Sequence, residues 1–489
     1  MPAASQVHND FIRRVKAIAP LGLGLSVDVY QPDVIALFHR LQDRRLPVGY
    51  FELFKATTQA LTSARRNCPS MPMTYHGEGL WVTQPDFPEF PSLQADLTET
   101  VSHLAILDSP WLNHECASKQ VGGYAFGTYL PPLYTESSAR VVAANIRLVQ
   151  AVLDRRPVGA GTGGPLFLLE VPPLTYFRAG DLSVPAFFRL VTDLAPCGVV
   201  LDIGHVWTIH RYSSGRAQTL DCFLQSFLEE FPMERVVEIH VAGLACHAAV
   251  PNFEQDGTPA WIDSHAAPIP PALFEMLETV LAHQALHHLR GVALEVDTKP
   301  IDLVVEEYAA ARQRLSGLID ARLQADQREG TPTCGASADA RPPTGEERAM
   351  LRRDYDDYAR IVTGQQEPSG MAWHEVAEHP EGVTHYHTCY LPHEILHWGG
   401  DLADMFPETC WLLSAKAIPL EAFVAWWVGQ PRPVTEPYDY FLLKIDRFVE
   451  FITQCVPDCA LAAQREAAGL RLGYLEASQD ILVSPGSSV

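Results

Sequence analysis

Short apolar runs that stop on a carboxylate or an imidazole recur along the first three hundred residues. LFLLE ends in Glu170, LDIGHVW carries Asp202 and His205, and VVEIHVAG carries His240. LGLGLSV, VGYFELF, MTYHG, WLNHE and GVALEVD have the same strand-like character. Between them the apolar positions shift to helical spacing. In PDVIALFHRLQDRR, Val34, Leu37, Phe38 and Leu41 predict a helix with Pro32 and Asp33 at its start. Further helices are predicted near 93–107, 134–156, 184–195, 218–231, 270–288 and 300–325, with Thr135 and Ser137 as candidate N-caps of the 134–156 helix. Alternating strands and helices are the signature of parallel βα units. The expected fold is α/β, a (β/α)8 TIM-type barrel.

Residues 326–346, DQREGTPTCGASADARPPTGE, lack periodicity and mark a boundary. The expected organisation is a barrel over 1–325, a linker over 326–346 and a mainly helical C-terminal domain over 347–489. A chain of 489 residues exceeds what one core usually supports, in line with two domains. Beyond the linker, EERAMLRRDYDDYARIV, HEILHWGGDLADMF, LEAFVAWWV, DYFLLKIDRFVEFITQC and DCALAAQREAAGLRLGYLEA read as helices. FVAWWV reads as core or as interface with the barrel.

The net charge of −23 (36 basic minus 59 acidic residues) counts against a nucleic-acid binder, whose affinity rests on clustered Lys and Arg. No apolar run reaches membrane-spanning length, and MPAASQVHNDFIRR has no secretory-type segment, so a cytoplasmic protein is expected. The ten cysteines form no CxxC pair and read mostly as buried thiols. GAGTGG formally contains GxGxxG, but it precedes a strand instead of leading from a strand into a helix, so a dinucleotide loop is not expected.

In a (β/α)8 barrel the strands deliver their chemistry at their C-terminal ends. Nine residues then converge as candidate metal ligands: His76, His114, Glu170, Asp202, His205, His240, Asp263, His265 and Glu295. Imidazole and carboxylate donors without thiolates suit iron, manganese or zinc. Asp263 and His265, two apart, would face one side of an extended loop. Glu52 lies on the second strand, and Asp297, two past Glu295, would point the same way. Both are candidate catalytic groups, for pocket chemistry or for proton transfer and ligand support. His103, His210 and His247 lack this context. HEILH, His393 to His397, matches the H-E-x-x-H of zinc proteases, but Ala403 stands where a third histidine would fall.

The ligand order resembles the trinuclear constellation of endonuclease IV and the xylose-isomerase-like barrels. The flanking words GLGLSVDVY, VGYFELF, NHECA with YLPPLYT, LLEVPPLTY, EIHVAG, WIDSH and LEVD resemble the multinuclear non-haem iron-dependent oxidases that modify ribosomally made peptides. The resemblance covers roughly 20–300 and implies two or three irons, mixed-valent Fe(II)/Fe(III), with O2 as co-substrate. It implies that Glu170 bridges two irons, one also bound by His76 and His114, the other by Asp202, His240 and Glu295. His205, Asp263 and His265 would hold a third ion. It further implies a precursor peptide as substrate, held through a cysteine thiolate. Many relatives carry Asn where this chain has His205, and NHECA departs from their commoner SEHLA. The C-terminal stretch from LADMFPETCWLL onward resembles the helical partners encoded beside such oxidases, which present the precursor peptide; contact between barrel and helical domain is then expected. The alternatives are a zinc or manganese hydrolase or sugar isomerase of the endonuclease-IV type, and a non-catalytic peptide-binding scaffold.

Overall fold

The computed structural model describes residues 4–121, 124–155, 164–173, 177–212, 218–246, 261–325, 341–366, 380–397, 400–430 and 440–483. The 326–340 part of the expected linker, His247 and all of GAGTGG but its last glycine lie outside them.

Eight strands close a barrel: β1 Gly22–Val27, β2 Phe51–Phe54, β3 Met73–His76, β4 Trp111–Glu115, β5 Leu166–Glu170, β6 Gly198–Asp202, β7 Val236–Ala242 and β8 Gly291–Glu295. Each is parallel to its neighbours, they follow one another in chain order around the barrel, and β8 pairs back onto β1. The expected barrel forms because each strand is followed by a helix that covers its outer face. In the helix Val34–Asp43, Val34, Leu37, Phe38 and Leu41 are the buried positions, and the Asp33 carboxylate accepts from the Ile35 and Ala36 amides. Thr135, not Ser137, caps the helix Glu136–Leu153 by accepting from Ser138 N–H.

The barrel interior is layered, because alternate residues of each strand face inward. Tyr50, Trp111, Leu166, Leu168, Val200 and Ala293 form the lower, largely apolar layer. Phe11, Val15 and Ile18 join it at the amino ends of the strands. Phe11 and Val15 belong to a helix, Ala4–Lys16, that was not among the expected elements. Above this layer, toward the carboxyl ends, the inward positions turn polar.

Several local expectations are revised. LDIGHVW is not one strand: β6 stops at Asp202 and the helix Ile203–Tyr212 starts at once. The cause is Asp202 itself, whose Oδ1 accepts from the His205 amide at 2.6 Å and caps the helix. The helix near 270–288 ends earlier, at Ala282. WIDSH contains a short strand, Trp261–Asp263, antiparallel to Leu244–Cys246. Directly after β4 the chain forms an unpredicted antiparallel hairpin, Ser118–Val121 with Tyr124–Leu130.

The C-terminal region is mainly helical, with helices at Gly345–Val362, Leu391–His397, Pro407–Ala415, Glu421–Val428, Tyr440–Cys455 and Ala460–Val483. Phe423, Val424 and Trp427 of FVAWWV are buried in its core. That core also takes in Val121, Leu130, Leu133, Val141 and Phe177 of the barrel half. Tyr355 Oη accepts from Leu133 N–H at 3.2 Å, Tyr358 Oη donates to the Pro131 carbonyl at 3.3 Å, and Arg348 donates to the Pro85 carbonyl at 2.7 Å. The helices therefore sit beside the hairpin that leaves the carboxyl end of β4.

Candidate metal centre

The inward positions at the carboxyl ends of the strands form one polar pit. Glu170 closes β5 at its centre. Its Oε2 accepts from Asn113 Nδ2 at 2.6 Å and lies 3.2 Å from His76 Nε2, while its Oε1 lies 3.2 Å from His240 Nδ1. His240 Nδ1 is also 3.3 Å from Glu295 Oε1. On its other side His240 Nε2 is 3.1 Å from Glu52 Oε1 and 3.6 Å from Glu238 Oε2. At the rim, Asp263 Oδ2 stands 3.3 Å from His205 Nε2 and 3.5 Å from His265 Nε2, and His265 Nε2 is 3.5 Å from Glu295 Oε2. Asp297 Oδ2 is 3.1 Å from His265 Nδ1, and its Oδ1 accepts from the Asp28 amide at 2.5 Å.

Among the described residues, three sets of donors each gather within 4.8 Å: His76, Glu115 and Glu170; Glu170, Asp202 and His240; Glu52, Glu238 and His240. Eight of the nine expected ligands thus reach the pit, and Glu170 is common to two of the sets. His114 does not. Its Nε2 accepts from the Leu80 amide at 3.0 Å and its Nδ1 faces the Glu115 carbonyl at 3.0 Å, so both nitrogens are engaged. Its ring stacks on Phe167 and meets Trp81 edge-on, outside the strand ring. Strand alternation explains this correction: Trp111, Asn113 and Glu115 point inward, so His114 points outward. Glu52 is fully buried, receives a hydrogen bond from Ser26 Oγ at 3.1 Å, and lies below the rim beside His240. Glu115, Asn113 and Glu238 were missed. For Glu238 the signal was present, since in VVEIH it precedes His240 by two and must share its face.

Seven carboxyls (Glu52, Glu115, Glu170, Asp202, Glu238, Asp263, Glu295) face four imidazoles (His76, His205, His240, His265), and among the described residues no Lys or Arg pairs with them. Burial pushes the Asp202 carboxyl up to about 8, with the Glu295, Asp263 and Glu170 charges adding to it against His205. Burial and the neighbouring Glu52 push Glu238 up to about 8 as well. Burial opposes a charge on His76, but the Glu170 carboxylate outweighs it and raises the imidazole to about 10. His114, by contrast, is lowered by its burial to about 4.

The pit meets the test for a cation site. Glu170 Oε1, Asp202 Oδ2, Glu295 Oε2, Asp263 Oδ1 and both His240 nitrogens are buried without a hydrogen-bond partner. Buried groups of this kind are paired or coordinate metals, because an uncompensated charge is expensive to desolvate. Nitrogen and carboxylate donors without a thiolate match iron, manganese or zinc. The other histidines behave otherwise. His103 bonds Tyr75 Oη at 2.9 Å and Thr58 Oγ1 at 3.0 Å, a structural role. In HEILH the rings of His393 and His397 lie 4.5 Å apart, yet among the described residues they join no three-donor set.

A closed parallel barrel with its polar pit at the carboxyl ends of the strands is the architecture of a TIM-barrel enzyme. Within that class, the chain belongs to the RiPP precursor modification enzymes of the MbnB/TglH/ChrH family, whose model matches residues 23–316. RiPPs are ribosomally synthesised and post-translationally modified peptides, so the family acts on their precursors. Among curated relatives, the chain is 32% identical over 160 residues to a UPF0276 protein of Rhizobium meliloti (strain 1021), covering 32% of this chain and 44% of that one. It is 30% identical over 213 residues to a UPF0276 protein of Anaeromyxobacter sp. (strain Fw109-5), covering 43% and 64%. The matched stretch thus spans about half the length of these relatives. Among solved structures, the chain resembles endonuclease IV from Thermus thermophilus at 15% identity and a TM-score of 0.37, covering 61% of this chain and 99% of that one. No helix among the described residues is long and apolar enough to cross a membrane.

Proposed function

We propose that the barrel is a multinuclear iron oxidase that uses O2 to modify a ribosomally made precursor peptide at cysteine. One observation carries the reading: a buried pit of seven carboxyls and four imidazoles with unpartnered donor atoms, in a chain whose family modifies such precursors. Glu170 would be shared by two ions, with His76 on one side and Asp202, His240 and Glu295 on the other. His205, Asp263 and His265 would hold a third. Iron bound there supplies one-electron redox chemistry and the activation of O2.

The chain's own residues orient the donors and exclude water. The Gly77 carbonyl faces His76 Nδ1 at 3.1 Å and the Val171 carbonyl faces His205 Nδ1 at 2.7 Å, which sets the proton on Nδ1 and leaves Nε2 as the donor toward the pit. Asp297 does the same for His265. Asn113 fixes Glu170 through its amide N–H. The side chains of His265 and Asp297 are each 26% exposed, whereas those of His76, Glu170, Asp202, His205 and His240 are at most 4% exposed. The rim formed by His265 and Asp297 is therefore the side from which a peptide cysteine would enter. The helical domain, seated by the hairpin after β4, would present that peptide; its placement beside the same end of the barrel supports this.

The test is metal content per chain after anaerobic purification, by elemental analysis with Mössbauer spectroscopy, followed by O2 uptake with candidate precursor peptides. About two or three irons with a mixed-valent signal are expected. Stoichiometric zinc that iron does not replace, or a chain that binds neither, overturns the reading.

A further inference from the structure

We infer that Glu115, and not His114, supplies the fourth strand's metal ligand, and that its charge makes the His76–Glu115–Glu170 pocket more favourable to a trivalent ion than the same pocket with a second imidazole would be. The inference rests on the metal-centre reading above and goes beyond it to one residue and one oxidation state.

Three observations point the same way. Glu115 is the register partner of Glu170 across the β4–β5 pair, so the two carboxylates leave adjacent strands at the same level. His114 pairs in register with Leu169, a position packed in the outer helix-facing core. Glu115 offers an oxygen within 4.8 Å of the donor atoms of His76 and Glu170, and its Oε2 is buried without a hydrogen-bond partner. His114 has no nitrogen to spare, since the Leu80 amide and the Glu115 carbonyl occupy both. Turning its ring inward would require a one-residue register shift, which would send Glu115 and Asn113 outward together. That shift would also remove the 2.6 Å hydrogen bond from Asn113 to Glu170.

The exchange has an electrostatic consequence. An imidazole ligand is neutral, whereas Glu115 brings a full negative charge into a site that is buried and of low effective dielectric. Two carboxylates and one imidazole favour the more highly charged form of a bound ion over the same pocket with two imidazoles. His76–Glu115–Glu170 then holds a ferric ion more firmly than a version of the same pocket with histidine at position 115.

The experiment uses the full chain, refilled anaerobically with ferrous iron, in wild type and in the E115Q, E115H and H114Q variants. Iron is counted by elemental analysis, and the ferric fraction is read by Mössbauer spectroscopy after one fixed exposure to air and mild reductant. E115Q, which keeps the shape and loses the charge, is expected to hold about one iron fewer than wild type. H114Q is expected to hold the wild-type number. E115H is expected to keep the number but show a smaller ferric fraction. A loaded wild type with an E115Q count unchanged overturns the ligand assignment alone, as does an H114Q variant that folds and loses an ion. An unchanged ferric fraction in E115H overturns the claimed effect of the Glu115 charge on oxidation state. A wild type that binds no iron overturns the centre and this inference together. Should H114Q fail to fold, the two Glu115 variants decide the question.

Discussion

His240 and Glu52 form a buried pair in which the imidazole's Nε2 lies 3.1 Å from the carboxylate, while Nδ1 faces Glu170 at 3.2 Å and Glu295 at 3.3 Å. The ring thus lies between carboxylates on both sides without a hydrogen bond to any of them, and a charged Glu52 beside Nε2 would raise the basicity of the imidazole toward a bound ion. Glu52 is itself held by Ser26 Oγ. Glu52 thus stands beside His240 as a member of the donor set that also takes in Glu238.

Replacing Glu52 with Gln should leave the barrel folded and weaken metal binding about 10–100-fold, the usual cost of losing such a partner. Competition with a chelator of known affinity measures it. An affinity equal to wild type would remove Glu52 from the site.

Asp202 has two jobs that separate by substitution. Its Oδ1 caps the helix Ile203–Tyr212 through the His205 amide, while its Oδ2 is unpartnered in the pit. D202A removes both and should cost about 0.5–2 kcal/mol of stability for the cap besides the metal donor. D202N keeps an acceptor for the cap and loses the charge. Thermal melts of the two variants should therefore differ, while both lose turnover; equal melting temperatures would mean that the cap contributes nothing.

Much of this was legible in the sequence because parallel strands are short, buried and punctuated. Runs such as LFLLE and GVALE ended where the barrel's chemistry begins, and the helical period of Val34, Leu37, Phe38 and Leu41 was read directly as a buried face. What the pattern could not give was phase. A strand buried on both faces has no polar alternation to say which side is in, so in WLNHE either His114 or Glu115 could have been the inward residue. Only the register with Leu166–Glu170 resolves it. The junction after Asp202 was hidden for a related reason: the apolar residues Ile203, Val206 and Trp207 suit a strand and a buried helix equally, and a side-chain cap decides between them. The helix Ala4–Lys16 did carry a helical signal, with Val7, Phe11 and Val15 recurring every four residues and Arg13, Arg14 and Lys16 in its last turn, and those three apolar residues are the ones it buries.

Glu394 of HEILH should report on the seam between the halves instead of on a metal. Burial pushes its carboxyl up to about 7, with Lys119 of the hairpin, Lys444 and Tyr390 acting in the opposite direction. An acid whose folded pKa exceeds its unfolded value binds more protons folded than unfolded, so stability falls as pH rises between the two, from about 4.5 to about 7, and then levels. Melting temperatures of wild type should decline across that window, by the equivalent of about 1–3 kcal/mol. E394Q should flatten the decline and be the more stable protein at pH 8. A wild-type profile parallel to that of E394Q would show that folding does not raise the Glu394 pKa.

Removing metal should destabilise the barrel more than any of these substitutions. Without cations, Glu170, Asp202, Glu295 and their neighbours face one another across a buried pit with four imidazoles to offset seven carboxyls. The strain falls on strand ends that the helices cannot relieve, since Asn113, Ser26 and Tyr50 already satisfy one carboxyl oxygen each, on Glu170, Glu52 and Glu238. A ligand that binds the folded chain alone stabilises it by about 2.7 kcal/mol at a hundredfold excess over its dissociation constant. Wild type stripped by chelation should therefore melt several degrees lower than the same chain given ferrous or manganous ion, and the gap should shrink in E115Q and D202N. The helical core around Tyr355, Trp427 and Phe448 contains none of these donors, so its amide exchange should respond less than that of β5–β8. Equal melting temperatures with and without metal would place the cations elsewhere, and exchange that changed first in the helical core would place them there.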